Sequence, residues 1–246
     1  MLSKHSGAPN RGTLLRMSAP RTARARARAE ITREITDAAR RQLAESGAAA
    51  LSLRAIAREL GMVSSALYRY FPSRDDLLTA LLIEAYDAIG ASVETAVARA
   101  DDPRAQWRAA AHAVREWGRA HPHEYALLYG SPVPGYAAPQ TTVDPAARVP
   151  LAVLGIVERA WAAGTLAVPD EHLDPLLAEQ IGALADRFTP GVPAPALARM
   201  VVAWTQLFGA VSFELNGQLV GSMDPAAAFF DYAVETMADL LGLRDV

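Results

Sequence analysis

Four polar side chains fall within six residues, shortly after a glycine: Ser64, Ser65, Tyr68 and Arg69 follow Gly61. Hydroxyls of serine and tyrosine can donate to phosphate oxygens or base edges, and a guanidinium suits phosphate or guanine. On a short helix the spacing of Leu67 and Phe71 turns those two inward, with Val63 just before them. Ser64, Ser65, Tyr68, Arg69 and Ala66 are then left facing outward. A tyrosine exposed on so short a helix makes a poor core residue and suits a binding role. Other chemistry finds less support. His121 and His123, with Glu124 adjacent, could suggest a metal pair. However, His-x-His at a helix start does not put both rings on one face, and Pro122 marks such a start. The chain has no Gly-x-Ser-x-Gly elbow, no phosphate loop and no paired nucleophile and base. No metal or cofactor is expected, and a helical enzyme is the remote alternative.

The elements that must hold these side chains are helices. Ile31, Ile35, Ala39 and Leu43 recur at helical spacing from about Glu30, and Gly47 is placed to stop that helix. Ser52 reads as an N-cap for a short helix with Leu53, Ile56, Ala57 and Leu60 on one face, ended by Gly61. The third helix covers about Ser64–Tyr70 and stops before Pro72. Ser73 and Asp76 form a capping box for a long fourth helix, with an apolar stripe of Leu77, Leu78, Leu81, Leu82, Ala85, Ile89 and Val93. Three short helices with a glycine at the sharp turn describe a helix-turn-helix, whose later helix enters the major groove.

Further helices are expected over Pro103–Ala120, Pro122–Tyr129 and Pro145–Ala163, the last with Leu151, Leu154, Val157 and Trp161 as its apolar face. Leu173–Phe188, Ala194–Leu219 and Pro225–Leu241 complete the series, the last opened by Asp224. No alternating strand pattern is visible. Gly130–Asp144 is a long irregular stretch with three prolines, and loops of that length are often lids or mobile segments.

Charge separates the chain into a basic head and an acidic body. Residues 1–74 hold 14 Lys/Arg against 5 Asp/Glu, and the remainder holds 10 against 22, which together give the net charge of −3 over 246 residues. A polyanion partner for the head is one reading, and a solvated basic tail is the other. Residues 1–28 carry seven basic residues and no acid. They lack the apolar residues to offset ordering, so disorder is expected there. Either Met1 or Met17 could be the start. Absence of cysteine excludes disulfides and fits a reducing cytoplasm. No export signal is visible, and the most apolar stretch, Val201–Leu215, is interrupted by polar residues, so no membrane partner is expected.

The stretch LSLRAIARELGMVSSALYRYFPSRDDLLTALL (Leu51–Leu82) resembles the tetracycline-repressor (TetR) family of bacterial regulators. The resemblance is carried by Ile56-Ala57, Gly61, Leu67-Tyr68, Tyr70-Phe71, Arg74 and Leu77-Leu78. One departure is Met62-Val63 after the glycine, where the family usually has Val-Ser; the cap of the third helix would shift by one residue. REWGRAHPHEYALLYGSPVPGY (Arg115–Tyr136) and WTQLFGAVSFELNGQ (Trp204–Gln218) resemble a subgroup with a so-called WHG-type C-terminal domain. The resemblance implies an all-α fold: a basic arm over 1–28, a helix-turn-helix domain over 29–89 and an effector-binding, dimerising domain over 90–246. It puts DNA contacts on Ser52 and Arg54, on Ser64, Ser65, Tyr68 and Tyr70, and on Arg74. Arg69 and the arm residues Arg24, Arg26 and Arg28 would add to them.

The resemblance also implies a homodimer on a palindromic operator in double-stranded DNA. Helix Ala194–Leu219 is apolar nearly all round, so it must be covered on several faces. Val201, Trp204, Phe208, Val211 and Leu215, with Phe229, Phe230, Ala233, Met237 and Leu240, are the expected dimer face, a central buried helix being the other reading. Trp107, Trp117, Tyr125, Tyr129, Phe188 and Trp204 concentrate aromatic area in the body. They suggest a site for a small lipophilic or aromatic ligand that releases a repressor from DNA, although aromatic residues at helical spacing are more often core. A DNA-binding activator, or a partner-controlled regulator without an effector, is the alternative.

Overall fold

The computed structural model describes residues 23–168 and 170–244, and these fold into ten α-helices. They are α1 (Ala23–Ser46), α2 (Leu53–Glu59), α3 (Ser64–Leu67), α4 (Arg74–Ala98), α5 (Pro103–Ala120), α6 (Pro122–Tyr129), α7 (Val143–Ala162), α8 (Pro175–Phe188), α9 (Ala194–Leu215) and α10 (Ala227–Leu241). Among the described residues the only β pairing is one isolated antiparallel bridge, Leu166 with Leu243. The all-α expectation holds. Residues 1–22 of the expected disordered arm lie outside the described residues. Its remaining part is helical, because α1 starts at Ala23 rather than near Glu30; the alanines between Arg24, Arg26 and Arg28 have the strongest helix propensity.

Two apolar cores organise the chain. The first gathers Ile35, Ala38, Ala39 and Leu43 of α1, Leu53, Ile56 and Ala57 of α2, Leu67 and Phe71, and Leu77, Leu78 and Leu81 of α4. The second begins at Ala85 of the same helix and takes in Ile89, Val93 and Val97, then the buried faces of α5, α7, α9 and α10. α4 therefore runs unbroken from one core into the other. Its start is fixed by Ser73, whose hydroxyl accepts from the Asp76 amide at 3.0 Å and donates to the Asp76 carboxylate at 2.6 Å.

Several boundaries differ from the sequence reading. α7 begins at Val143, α8 at Pro175 and α10 at Ala227, after a cis Asp224–Pro225 peptide, while α9 ends at Leu215. The inner seam of α7 is Val149, Val153, Ile156 and Ala160, flanked by Leu154 and Val157. Leu151 and Trp161, expected on that seam, are exposed, because the seam is rotated about one residue from the pattern read in the sequence. In α9 the buried seam is Met200, Ala203, Leu207 and Val211. By length and composition α9 is apolar enough to cross a membrane, with a mean hydropathy of 1.3. In the fold one stripe of it packs into the body core, and 33% of its apolar window is buried.

Ion pairs lock the body helices. Arg104 and Arg108 of α5 both bond Glu235 of α10, and Arg104 also reaches Asp239 at 2.7 Å. Arg148 of α7 bonds Glu94 and Asp87 of α4. It crosses α4 directly over Gly90, where an added Cβ would lie 2.8 Å from the Arg148 Cβ.

Candidate nucleic-acid interface and its link to the body

The turn into the recognition segment needs Gly61. Its φ of +64° lies in the left-handed region that glycine adopts without strain. Ser52 caps α2 by accepting from the Ala55 amide, and the Ser52 amide donates to Gln42 Oε1 at 2.7 Å, which ties α2 to α1. α3 is shorter than expected: it is regular only over Ser64–Leu67, and Tyr68, Arg69 and Tyr70 continue it as tight turns, with the Tyr70 amide on the Leu67 carbonyl. Leu67 and Phe71 are buried beneath, so the segment is held from inside while its outer face stays open.

Most of the expected contact residues sit on that outer face. Arg54, Ser65, Tyr68 and Arg69 are exposed, and Ser52, Ser64 and Tyr70 are half-buried. Arg24, Arg26 and Arg28 are exposed on the first turns of α1. Arg28 reaches the recognition segment itself: its guanidinium lies 5.0 Å over the Tyr70 ring and donates to the Arg69 carbonyl at 3.4 Å.

Two residues depart from the sequence reading. Val63 does not face inward but is 69% exposed, because it occupies the cap position before α3, where the chain is still extended. It places an apolar side chain beside Ser64 at the leading end of the recognition segment. The signal was available in the shift by one residue after Gly61. Arg74 is engaged within the head: its guanidinium donates to the carbonyls of Ala48 at 2.9 Å and Ala49 at 3.3 Å, and its Nε is buried. It fastens the start of α4 to the turn between α1 and α2.

The head is also tied to the body behind it. Leu127 of α6, with Val133 and Tyr136 of the long loop, packs on the head core, and the Tyr136 hydroxyl pairs with Thr79 of α4 at 2.8 Å. The expected lid is thus a strap across the head–body junction. Arg40 of α1 joins Glu84 of α4 and lies 3.6 Å from Glu124 of α6.

In the body, the six aromatic residues expected to line one pocket are not together. Trp107 is fully buried and donates its indole N–H to the Val234 carbonyl at 3.0 Å, so it is a strut between α5 and α10. Trp117 packs on His121 at 5.2 Å, and Phe188 lies exposed at the end of α8 under Arg187. Tyr125, Tyr129 and Trp204 do meet, through Phe208: Tyr129 and Phe208 are 4.4 Å apart and Trp204 and Phe208 6.1 Å. Among the described residues no group of three or more metal-ligating side chains occurs around His121, His123 or elsewhere.

The expected dimer face is largely turned inward. Val211 and Phe230 are buried, and Val201, Trp204, Phe208 and Leu215 pack against the body core. An apolar surface is nevertheless left open beside them, and it includes Phe229, Ala233, Met237 and Leu240 of the expected face. Thr205, Gln206, Gly209 and Phe213 of α9 and Phe229, Tyr232, Ala233, Thr236, Met237 and Leu240 of α10 line a groove of about 560 Å³. Phe213 is 55% and Tyr232 71% exposed. A helix apolar on every side gives no sequence cue to which stripe faces its own core.

A helix-turn-helix with an open polar face, mounted through one continuous helix on a separate helical body, defines a DNA-binding transcriptional regulator. Residues 35–81 match the family described as bacterial regulatory proteins, tetR family, and residues 107–237 match the tetracyclin repressor-like C-terminal domain. The chain belongs to the TetR family. It is 41% identical over 212 residues to the HTH-type transcriptional regulator Rv1816 of Mycobacterium tuberculosis, covering 82% of this chain and 89% of that one. The regulator Mb1846 of Mycobacterium bovis matches with the same identity and coverage. Among solved structures, the regulatory protein SCO4313 superposes with a TM-score of 0.72 at 34% identity, covering 87% of this chain and 98% of that one. A protein of unknown function from Rhodococcus sp. RHA1 superposes with a TM-score of 0.63 at 26% identity, covering 86% and 93%.

Proposed function

We propose that the chain is a homodimeric repressor that binds a palindromic operator and is released by a small lipophilic or aromatic effector held in the body. The observation that carries this reading is the open segment Val63–Arg69, braced by the head core and joined to the body by α4, α6 and the strap. In it Val63 meets a thymine methyl, Ser64, Ser65, Tyr68 and Arg69 contact base edges and phosphates, and the α1 arginines add phosphate contacts. The groove between α9 and α10 takes the two-fold mate. Two heads then read half-sites one helical turn apart. The effector shifts α6 and α4, the strap moves with them, and the spacing of the heads changes.

The test is fluorescence anisotropy of the full chain on DNA from upstream of its own reading frame, over a salt series, with unrelated DNA as competitor. The expected result is at least 10³-fold preference for one fragment, a steep salt dependence, and lower affinity in the presence of a metabolite extract. Equal binding to all sequences at every salt concentration would refute the reading as an operator-binding protein. A fragment bound specifically, with no response to any extract, would instead leave a regulator without a small-molecule effector.

A further inference from the structure

Two buried polar side-chain atoms in the body have no hydrogen-bond partner among the described residues, Thr189 Oγ1 and Trp204 Nε1, and only the second lies within a cluster of rings. The indole nitrogen of Trp204 is buried and has no hydrogen-bond partner among the described residues, in contrast to Trp107, whose N–H meets the Val234 carbonyl. Buried donors are rarely left unpaired, and each one calls for an explanation.

Its surroundings define what would fit. The Trp204 ring meets Phe208 edge-on at 6.1 Å, Phe208 lies 4.4 Å from Tyr129, and Tyr129 lies 5.0 Å from Tyr125 and 6.3 Å from Tyr86 of α4. Trp204, Phe208 and Tyr129 are only half-buried, so the ring surface around the hidden donor is incompletely covered. No charged group is part of this ring chain. Burial is the leading cause that raises the pKa of Tyr86, Tyr125 and Tyr129 alike, and the charge contributions come from other tyrosines. Such a site disfavours an ion and favours a flat neutral molecule with one acceptor atom. Tyr125 is fixed, since its hydroxyl donates to the Phe208 carbonyl at 3.1 Å and pairs with Ser212 at 3.2 Å. It forms a rigid wall, while Tyr129 connects the cluster to α4 through Tyr86.

We propose that Trp204, Phe208 and Tyr129 form the effector subsite, and that it takes a neutral aromatic molecule whose carbonyl or ether oxygen accepts the Trp204 indole N–H. This deepens the reading of the chain as an effector-controlled regulator and rests on it. It also assigns α9 two roles: its outer stripe faces the mate and its inner flank faces the ligand.

The experiment uses two probes of nearly equal shape, 2-acetylnaphthalene and 2-isopropenylnaphthalene, which differ in carrying C=O or C=CH₂. Equilibrium dialysis is run on the full chain and on Trp204→Phe, which keeps a ring and removes the donor. The wild type is expected to bind the ketone about threefold to tenfold more tightly than the alkene, the worth of one hydrogen bond. In Trp204→Phe the ratio falls to about one, with the alkene's affinity retained. A ratio near one in the wild type, a preference that survives in Trp204→Phe, or no binding of either probe up to its solubility overturns the proposal. Should Trp204→Phe fail to fold, ¹⁵N-indole spectra of the wild type decide. The Trp204 N–H resonance, assigned by elimination with Phe variants of Trp107, Trp117 and Trp161, must move downfield with the ketone and not with the alkene; an unmoved resonance overturns the proposal. Anisotropy on upstream DNA runs in parallel. DNA binding without ketone selectivity overturns the subsite alone, and ketone selectivity without DNA binding overturns the regulator reading alone.

Discussion

Replacing Phe213 by alanine tests the α9/α10 groove as the dimer face. The ring is 55% exposed in the single subunit, and a phenylalanine side chain offers roughly 200 Å². About 110 Å² is therefore available to a mate. At ~25 cal/mol per Å² that area is worth about 2.7 kcal/mol. A two-fold interface is self-complementary, so one substitution acts twice and costs ~5 kcal/mol per dimer. Each 1.4 kcal/mol is tenfold, so dimerisation should weaken by about 10³ to 10⁴. Sedimentation velocity over a dilution series reads this directly, and operator affinity should fall at the concentrations where dimers are lost. Trp161→Ala is the control, since Trp161 is 40% exposed on α7 outside the groove and its truncation removes comparable area. The reasoning is refuted if Phe213→Ala leaves the dimer constant within about threefold, or if Trp161→Ala changes it as much.

Other consequences concern the struts. Two arginines hold the Glu235 carboxylate at about 2, below its ordinary 4.5, through hydrogen bonds from Arg108 first and then Arg104. A lowered folded-state value stabilises above about 4.5 and loses that contribution as pH falls towards 2. Because Glu235 is 40% exposed, solvent screening leaves on the order of 1 kcal/mol, so Glu235→Gln should be less stable than wild type by that amount at pH 7, with the gap closing in acid-denaturation curves below pH 4.5. Gly90→Ala should cost about 1–3 kcal/mol in urea unfolding, because the new Cβ meets the Arg148 side chain at 2.8 Å and pushes it off Asp87 and Glu94. Arg69→Ala and Arg74→Gln should separate two kinds of arginine. The first lowers the slope of log affinity against log salt by about 1 without loss of stability, and the second lowers stability by about 1–3 kcal/mol with the slope unchanged. Equal slopes for Arg69→Ala and wild type would count against its phosphate contact.

The head was legible to within a few residues because its signals are local. Ser52 and Ser73 announce helix starts by their capping chemistry, Gly61 announces the turn, and Leu67 and Phe71 follow the helical period onto one core. Val63 and Arg74 escaped for opposite reasons. Val63 is apolar yet lies where the chain is not helical, so the period did not apply to it. Arg74 is charged, yet its carbonyl partners lie about 25 residues earlier, a pairing no local pattern encodes. In the body, the prolines that open α5 and α6 make their limits legible, whereas on α7 and α9 the apolar pattern does not say which stripe is buried. Burial on a nearly all-apolar helix is decided by its neighbours, and Leu151, Val201 and Phe208 look alike until α4, α6 and α10 are in place.

The strap has a consequence for how the molecule comes to be made. Leu81 is the last residue the head places in its own core, while Leu127, Val133 and Tyr136, which finish covering that core, follow about 50 residues later. A chain emerging from the ribosome therefore presents a recognition segment whose foundation is still open on one side. Domains tend to fold in the order of their synthesis. Here the head acquires its full set of neighbours only once α6 and the loop after it have been translated. The part that reads DNA thus reaches its finished state together with the part that controls it, and a prematurely ended chain would carry the contact residues without the packing that aims them.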